Sequence, residues 1–339
     1  MVWRKEDKET VNGPCLQAGQ YGLPGFLVLL LGLLTLLWIP VPSHTFLWKA
    51  VNNFCHVPLF AGVAIVLVHL IRQLGEPRGW SAASHYAVAL AGVVVLGAGS
   101  EGIQFYTPGR YPDVSDVLLD IVGGLCALGV GATADPRLSE RWRRWQVAPR
   151  KHVVRIVSGG LVLAALSPVI IWAYATWHRD HQFPILCQFS SVWDMRFVQA
   201  IGSDLSIVSP PSGWTRSSGE TVGRIVFHPT NYPGIRINEP SPDWRGYERF
   251  SLEIYSEWPT PQPLHIRIDD AHHNQEQTDR FTRRVIIAPG LNQIQIPLED
   301  IRQAPVGREM DLSSIASVII FAVTPAEAVV LYLDHIRLE

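Results

Sequence analysis

Apolar residues fill the first half of this chain in long, nearly unbroken runs; in the second half they alternate with polar residues at a period of two. Five runs approach or exceed the roughly 20 residues that a helix needs to cross a bilayer: 23–39, 57–74, 84–106, 114–134 and 153–177. The first lacks the small-x-small cleavage site of a signal peptide, and Pro40-Val41-Pro42-Ser43-His44 after it reads as a loop, so it counts as a span. Beyond residue 190 the periodicity changes. Leu252-Glu253-Ile254, Leu264-His265-Ile266-Arg267-Ile268, Ile294-Gln295-Ile296 and Val329-Val330-Leu331-Tyr332-Leu333-Asp334 alternate as half-buried strands do. Turn residues such as Ala288-Pro289-Gly290-Leu291-Asn292 separate them. The expected organisation is a cytoplasmic segment 1–22, a five-helix transmembrane all-α bundle over 23–177, a linker 178–190, and an extracytoplasmic all-β sandwich or jelly roll over 191–339 with about eight to ten strands.

Charge sets the orientation. Arg4, Lys5, Lys8, Arg72, Arg78, Arg137, Arg141, Arg143, Arg144, Arg150, Lys151 and Arg155 fall in one set of connections, against Lys49 and Arg110 in the other. Lys and Arg concentrate on the cytoplasmic side, so the N-terminus is expected inside and the C-terminal domain outside. Trp172, Tyr174 and Trp177 then suit an outer aromatic belt. Residues 178–339 carry 14 Arg, no Lys and 20 Asp plus Glu, a net of −6. That acidic balance argues against nucleic acid as a partner and leaves membrane lipid as the expected one for the bundle.

The costliest residue in the apolar half is Glu101. A carboxylate inside a span costs roughly 2.5–3.5 kcal/mol on insertion scales, and this one opens a polar string: Glu101, Gln104, Arg110, Asp113, Asp116 and Asp120. With the N-terminus inside, the third span ends and the fourth begins at the outer face. His56, which opens the second span, is expected at the same depth. Glu101 and Gln104 share a helix face, and Asp113, Asp116 and Asp120 line one stripe if their helix starts early enough. Such a group could form an acid and a base with separated pKa values, a divalent-cation site, or a salt-bridged lock between helices. No Ser-His-Asp spacing, P-loop or Gly-rich dinucleotide turn is present, and no cofactor is expected. Gly92, Gly97, Gly99, Gly123, Gly124, Gly129 and Gly131 read as packing residues that allow close helix contact.

The run from Glu101 through Gln104, Phe105, Pro108, Gly109, Arg110, Asp113, Asp116 and Asp120 to Gly123 resembles the signature of the VanZ-like membrane protein family. His56 followed by Phe60 is similar to that family's His on the second helix, and the resemblance covers about residues 25–135. The sequence departs from the family at Asp120, where the family has Asn, and at Asn52-Asn53, where it has Asp-Lys. The resemblance implies a cell-envelope protein of the kind associated with low-level resistance to a lipoglycopeptide antibiotic; it supplies no reaction.

The second half resembles carbohydrate-binding, galactose-binding-like jelly rolls, through Tyr232-Pro233-Gly234, Asp243-Trp244, Gly246-Tyr247, Arg267, Asp269-Asp270, Asp279-Arg280-Phe281 and the closing Leu331-to-Leu338 run. Trp244, Tyr247, Tyr255 and Trp258 are the aromatics that could stack on sugar rings; core packing is the competing role for each. Asp269, Asp270, His272, His273 and Asp279 form an acidic and His-containing loop without the spacing of a calcium loop, so no metal is expected, with Asp269, Asp270 and Asp279 the weak candidates. Cys15, Cys55, Cys126 and Cys187 show no metal-like spacing, and Cys55 and Cys187 could pair if both lie outside the cell. The leading expectation is recognition of a glycan or glycolipid at the outer face. The alternatives are an enzyme acting on a lipid-linked envelope precursor through the carboxylates, and a scaffold for other envelope proteins.

Overall fold

The computed structural model describes residues 22–36, 45–106, 113–138, 148–214, 220–241 and 243–339. The chain divides into two compact units, Met1–Ile170 and Ile171–Glu339.

The first unit is helical. Its elements are α1 (Leu23–Leu36), α2 (Phe46–Gly75), α3 (Ala82–Gln104), α4 (Val114–Ala134) and the first part of α5 (Ala148–Gln182). Each start is set locally. The Thr45 hydroxyl accepts from the Trp48 N–H, Ser81 Oγ from the Ser84 N–H and Asp113 Oδ1 from the Ser115 N–H, so side chains satisfy donors that the first turn leaves unpaired. Among the described residues, α2, α3, α4 and α5 are long and apolar enough to cross a membrane. The described part of α1 has 14 residues and reaches about 21 Å at 1.5 Å per residue, short of a full span; residues 37–39 of the expected first span lie outside the described residues. The core of this unit is a helical-period stripe, Phe60, Val63, Ala64 and Val68 of α2 against Ala89 and Val93 of α3 and Leu128 of α4.

Two boundaries differ from the sequence reading. The second span was expected to open at Val57, but α2 begins at Phe46 and carries Pro58 inside it. The apolar run marks where the helix becomes hydrophobic; the Thr45 cap marks where it starts. His56 therefore sits mid-helix, not at a helix end. Residues 178–190 were expected as a linker. Instead α5 continues to Gln182 and β1 (Ile185–Cys187) pairs with the last strand. Within the second unit the end of α5 is held by Arg179, whose Nη1 donates to the Glu239 carbonyl at 2.8 Å, and by Asp194, which accepts from the Ser190 and Ser191 N–H groups and meets His178 Nε2 at 3.3 Å. Trp172 packs on Phe197 and Tyr174 on Trp193, so these two belt residues contact protein. Trp177 is half exposed.

The second unit is a two-sheet sandwich. Its remaining strands are β2 (Val198–Ile201), β3 (Ser203–Val208), β4 (Val222–Phe227), β5 (Gly234–Asn238), β6 (Arg249–Ser256), β7 (Gln262–Asp270), β8 (Phe281–Ile287), β9 (Gly290–Pro297), β10 (Ile315–Phe321) and β11 (Val329–Leu338), with a short helix α6 (Leu298–Arg302) after β9. One sheet runs β3-β4-β11-β6-β9 with β1 added on β11; the other runs β2-β5-β10-β7-β8, and all pairings are antiparallel. Leu252, Ile254, Leu331 and Leu333 from the first sheet meet Ile235, Ile237, Ile266, Ile268, Val318 and Ile320 from the second. Alternation fixes which residues point away from that core, and that places the candidate surface described below.

Candidate functional sites

The helical unit brings residues from three helices to one point. His56 on α2 stands with Nδ1 2.8 Å from Asp120 Oδ1 and Nε2 3.9 Å from Asp116 Oδ2, both on α4. Asp116 and Asp120 are i,i+4 and so share a face. Glu101 near the end of α3 is buried and accepts the Asp113 N–H on Oε2 at 3.0 Å, which ties α3 to the start of α4. Glycines make the approach close. A methyl at Gly97 would stand 2.9 Å from Asp120 Oδ2, and one at Gly123 would overlap the Val57 carbonyl. Of the glycines read from sequence as packing residues, Gly97 makes the room in which Asp120 sits and Gly123 lets α4 approach the α2 backbone, whereas Gly99 has no neighbour within 4 Å.

Asp113 does not join the stripe with Asp116 and Asp120. The helix starts at Val114, and Asp113 is its exposed N-cap. The side chain of Gln104, and Arg110 altogether, lie outside the described residues. Two acceptors in the cluster, Asp116 Oδ1 and Asp120 Oδ2, are buried without a hydrogen-bond partner among the described residues. A second polar cluster, Arg72, Tyr86 and Asp135, joins α2, α3 and the end of α4; Tyr86 lies 3.0 Å from Arg72 and 3.2 Å from Asp135. Along α2 it is about 24 Å from His56, 16 residues on at 1.5 Å each.

In the second unit the four aromatics singled out from sequence separate. Trp244 is fully buried, lies parallel to Phe250 at 5.7 Å, and donates Nε1 to the Ser241 carbonyl at 2.9 Å. It is a core residue, which corrects its assignment as a sugar platform. Tyr247 and Trp258 pack partly buried against the same core. Tyr255 stacks on Trp214 at 5.8 Å on the outer side of the first sheet, beside Tyr332.

The acidic loop is closed by arginine. Arg308 bridges Asp270 and Asp279, with Nη1 and Nε each 2.5 Å from its carboxylate partner. Burial opposes the Asp270 charge, but the Arg308 hydrogen bonds and the Asp311 N–H outweigh it and hold the carboxyl below its ordinary range. Arg308 and the Asn274 N–H do the same for Asp279. Asp311 falls to about 2 through the Ser313 and Ser314 hydroxyls and the Ser313 N–H. Asp269 is held by Arg267 Nε at 2.7 Å and Ser317 Oγ at 3.1 Å. A guanidinium occupies the position a cation would take, and among the described residues no His, Cys, Asp and Glu group has metal-binding geometry. Cys55, Cys126 and Cys187 are free thiols in this structure.

The sequence reading missed the outer face of the β2-β5-β10-β7-β8 sheet. Strand register aligns Gln199, Arg236, Ile319, Arg267 and Thr282 in one row. The next row holds Ile201, Gly234, Phe321, His265 and Arg284, and a third holds Asn238, Ser317 and Asp269. Phe321 stacks on His265 at 5.2 Å and meets exposed Tyr232 edge-on at 6.1 Å. Gly234 is required beneath this group, since a methyl there would lie 2.7 Å from Phe321 Cβ. The signal was present in the alternation of 264–268, where His265 and Arg267 are the outward positions, and in Tyr232-Pro233-Gly234. What sequence could not show was which strands are neighbours.

No protein-family model matches the chain, and no curated protein matches it. Solved structures similar to it include an exo-β-agarase at 14% identity and TM-score 0.37, covering 46% of this chain and 25% of that one. Another is a family 11 carbohydrate-binding module from Clostridium thermocellum in complex with a β-1,3-1,4-mixed-linked tetrasaccharide, at 18% identity and TM-score 0.33, covering 42% of this chain and 88% of that one. A third is a xylan-binding domain from Paenibacillus barcinonensis at 14% identity and TM-score 0.28, covering 42% of this chain and 90% of that one. The chain spans about a quarter of the agarase it matches.

Proposed function

We propose that this chain is an integral membrane protein of the cell envelope, of VanZ-like type, whose extracytoplasmic β-sandwich binds a saccharide on the outer face of the β2-β5-β10-β7-β8 sheet. The observation that carries the binding reading is the row Tyr232–Phe321–His265. It offers an aromatic and imidazole cluster, with Phe321 stacked on His265 and Tyr232 edge-on, bordered by the hydrogen-bonding side chains of Arg236, Arg267 and Asn238. An apolar platform with a few polar groups is how proteins orient small polar ligands.

The membrane reading is supported by the exposed side of the helices. Val153, Ile156, Val157, Leu163 and Ile170 of α5 are all more than half exposed. Exposed apolar side chains of that kind need lipid or protein against them, and the loop charges support a C-terminal unit on the outside.

A screen of the full-length chain in lipid nanodiscs against envelope and wall oligosaccharides tests the binding reading. Tyr232→Ala and His265→Ala should each weaken the best ligand tenfold or more. Undiminished binding in both variants would remove this face from the account.

The cluster in the helical unit supports a second reading, an enzyme acting on a lipid-linked envelope precursor. The specific observation is His56 set between two carboxylates, each with one buried oxygen that has no hydrogen-bond partner among the described residues. In this reading the Asp116 carboxylate and the His56 imidazole exchange protons with substrate, and Asp120 orients the ring. Turnover of a labelled lipid-linked precursor that is abolished in Asp116→Asn and retained in Tyr232→Ala would favour it.

A further inference from the structure

The second unit is acidic, yet four of its arginines lie on or beside one face. Arg236, Arg267 and Arg284 lie in the two rows described above, and Arg280 sits directly before Phe281, which pairs with Ile268. Those two rows hold no carboxylate; the third holds Asp269, which is already held by Arg267 and Ser317. Among the described residues Arg236, Arg280 and Arg284 close no ion pair, although the Asp269 charge acts on Arg280, and they stand together in a domain with 20 carboxylates and 14 arginines after residue 177.

Three nitrogens on this face are buried and lack a hydrogen-bond partner among the described residues: Arg236 Nε, Arg280 Nε and His265 Nδ1. A buried polar group left unpaired costs roughly 1–3 kcal/mol, and native structures hold few of them without a reason. The local field points the same way. Burial and the neighbouring Arg267 cation outweigh the Asp269 carboxylate and hold Arg280 below its ordinary value, and burial with Arg284 does so for His265. Positive charge here is in excess, and an incoming anion relieves it.

We propose that the saccharide bound on this face is anionic, its carboxylate or phosphate oxygens accepting hydrogen bonds from Arg236 and Arg280 while its ring packs on Phe321 and Tyr232. The inference rests on the saccharide-binding reading above and narrows it to a chemical class. The guanidinium fork matches an oxyanion with two parallel donors. A neutral sugar offers hydroxyls to the same nitrogens but leaves the excess charge unbalanced.

The test uses the full-length chain in nanodiscs of zwitterionic lipid at about 0.15 M salt, where surface charges beyond about 8 Å are screened. Four probes are titrated: an oligogalacturonate, its methyl ester, a phosphorylated oligomannan and its dephosphorylated form. The charged form of at least one pair should bind tenfold or more tightly than its neutral counterpart. Which pair responds tells carboxylate from phosphate. Arg236→Gln and Arg280→Gln should each erase that preference while leaving the unfolding midpoint unchanged or raised, since each removes an unpaired buried donor; a purely structural arginine would lower it. Equal binding of charged and neutral forms, or preference for the neutral form, overturns the anionic assignment and leaves saccharide binding standing. No binding of any probe overturns the anionic assignment, and failure of the wider oligosaccharide screen as well overturns the saccharide reading with it. Charge preference that survives in both variants places the anion elsewhere and also overturns it.

Discussion

His56 Nδ1 lies 2.8 Å from Asp120 Oδ1, a pair 64 residues apart in sequence, with Asp120 fully buried. This contact fixes α2 against α4 and holds Asp116 beside the same ring. Asp120→Ala leaves the His56 nitrogen unpaired and should destabilise the helical unit by about 1–3 kcal/mol. Asp120→Asn keeps a hydrogen-bonding group of the same shape and should cost less. Combined with His56→Ala, the alanine changes should show a coupling of about 0.5–3 kcal/mol. Unfolding in mild detergent, followed by circular dichroism, measures all three; additive effects would show that the contact does not stabilise the fold.

The packing of α4 against α2 and α3 is sensitive to a single methyl. Gly123 faces the Val57 backbone, and a methyl at Gly124 would meet Val93 Cγ1 at 2.7 Å. Gly123→Ala must push two backbones apart, whereas Gly124→Ala can be absorbed by a rotation of the valine side chain. Overpacking of this sort costs about 1–3 kcal/mol, and Gly123→Ala should fall at the upper end with Gly124→Ala below it. The order of the two thermal midpoints checks the assignment of close packing to backbone at Gly123.

Both the bundle and its polar cluster were legible in the sequence, for a physical reason. Long apolar runs mark helices plainly, and charged residues inside them have few places to go, so His56, Glu101, Asp116 and Asp120 could be expected together. The start of α2 was not legible, because the Thr45 cap lies outside the apolar run that drew attention to Val57. Asp113 was misplaced for a related reason: a carboxylate at a helix start serves as well for capping as for a stripe. In the sandwich, alternation identified outward positions strand by strand. Pairing Phe321 with His265 across β10 and β7 requires knowing strand neighbours, and that is long-range information no local pattern holds.

Arg308 should set the acid tolerance of the sandwich. Asp270, Asp279 and Asp311 all have folded-state values below the ordinary carboxylate range of about 3.9. A depressed carboxylate stabilises the fold fully above its unfolded pKa, and that stability is lost as pH falls through the folded value. The unit should therefore hold its stability down to about pH 5 and lose it between there and about pH 2, the Asp311 value. Arg308→Ala strands the buried Asp270 carboxylate and should cost about 3 kcal/mol at pH 7, with a weaker fall in acid. Arg308→Lys keeps the charge without the fork and should lie between the two. Near-ultraviolet circular dichroism against temperature at pH 7, 5 and 3 reads these differences.

Trp244 separates core from ligand contact. Trp244→Ala should destabilise the sandwich by about 3–5 kcal/mol through the cavity it opens, while Trp244→Phe preserves the stack on Phe250 and should cost less. Saccharide binding measured on the folded phenylalanine variant should match the unaltered chain, because Trp244 is wholly enclosed. A selective loss of binding there would mean the ring reaches a ligand.

The central claim is that the β-sandwich is displayed outside the membrane and binds saccharide through Tyr232, Phe321 and His265. Intact cells producing the full chain can be incubated with a fluorescent form of the tightest oligosaccharide from the nanodisc screen, before and after permeabilisation. The account predicts retention on intact cells, unchanged by permeabilisation and lost in the Tyr232→Ala/His265→Ala double variant at equal protein level. Retention only after permeabilisation would contradict the orientation, and equal retention by the double variant would contradict the site.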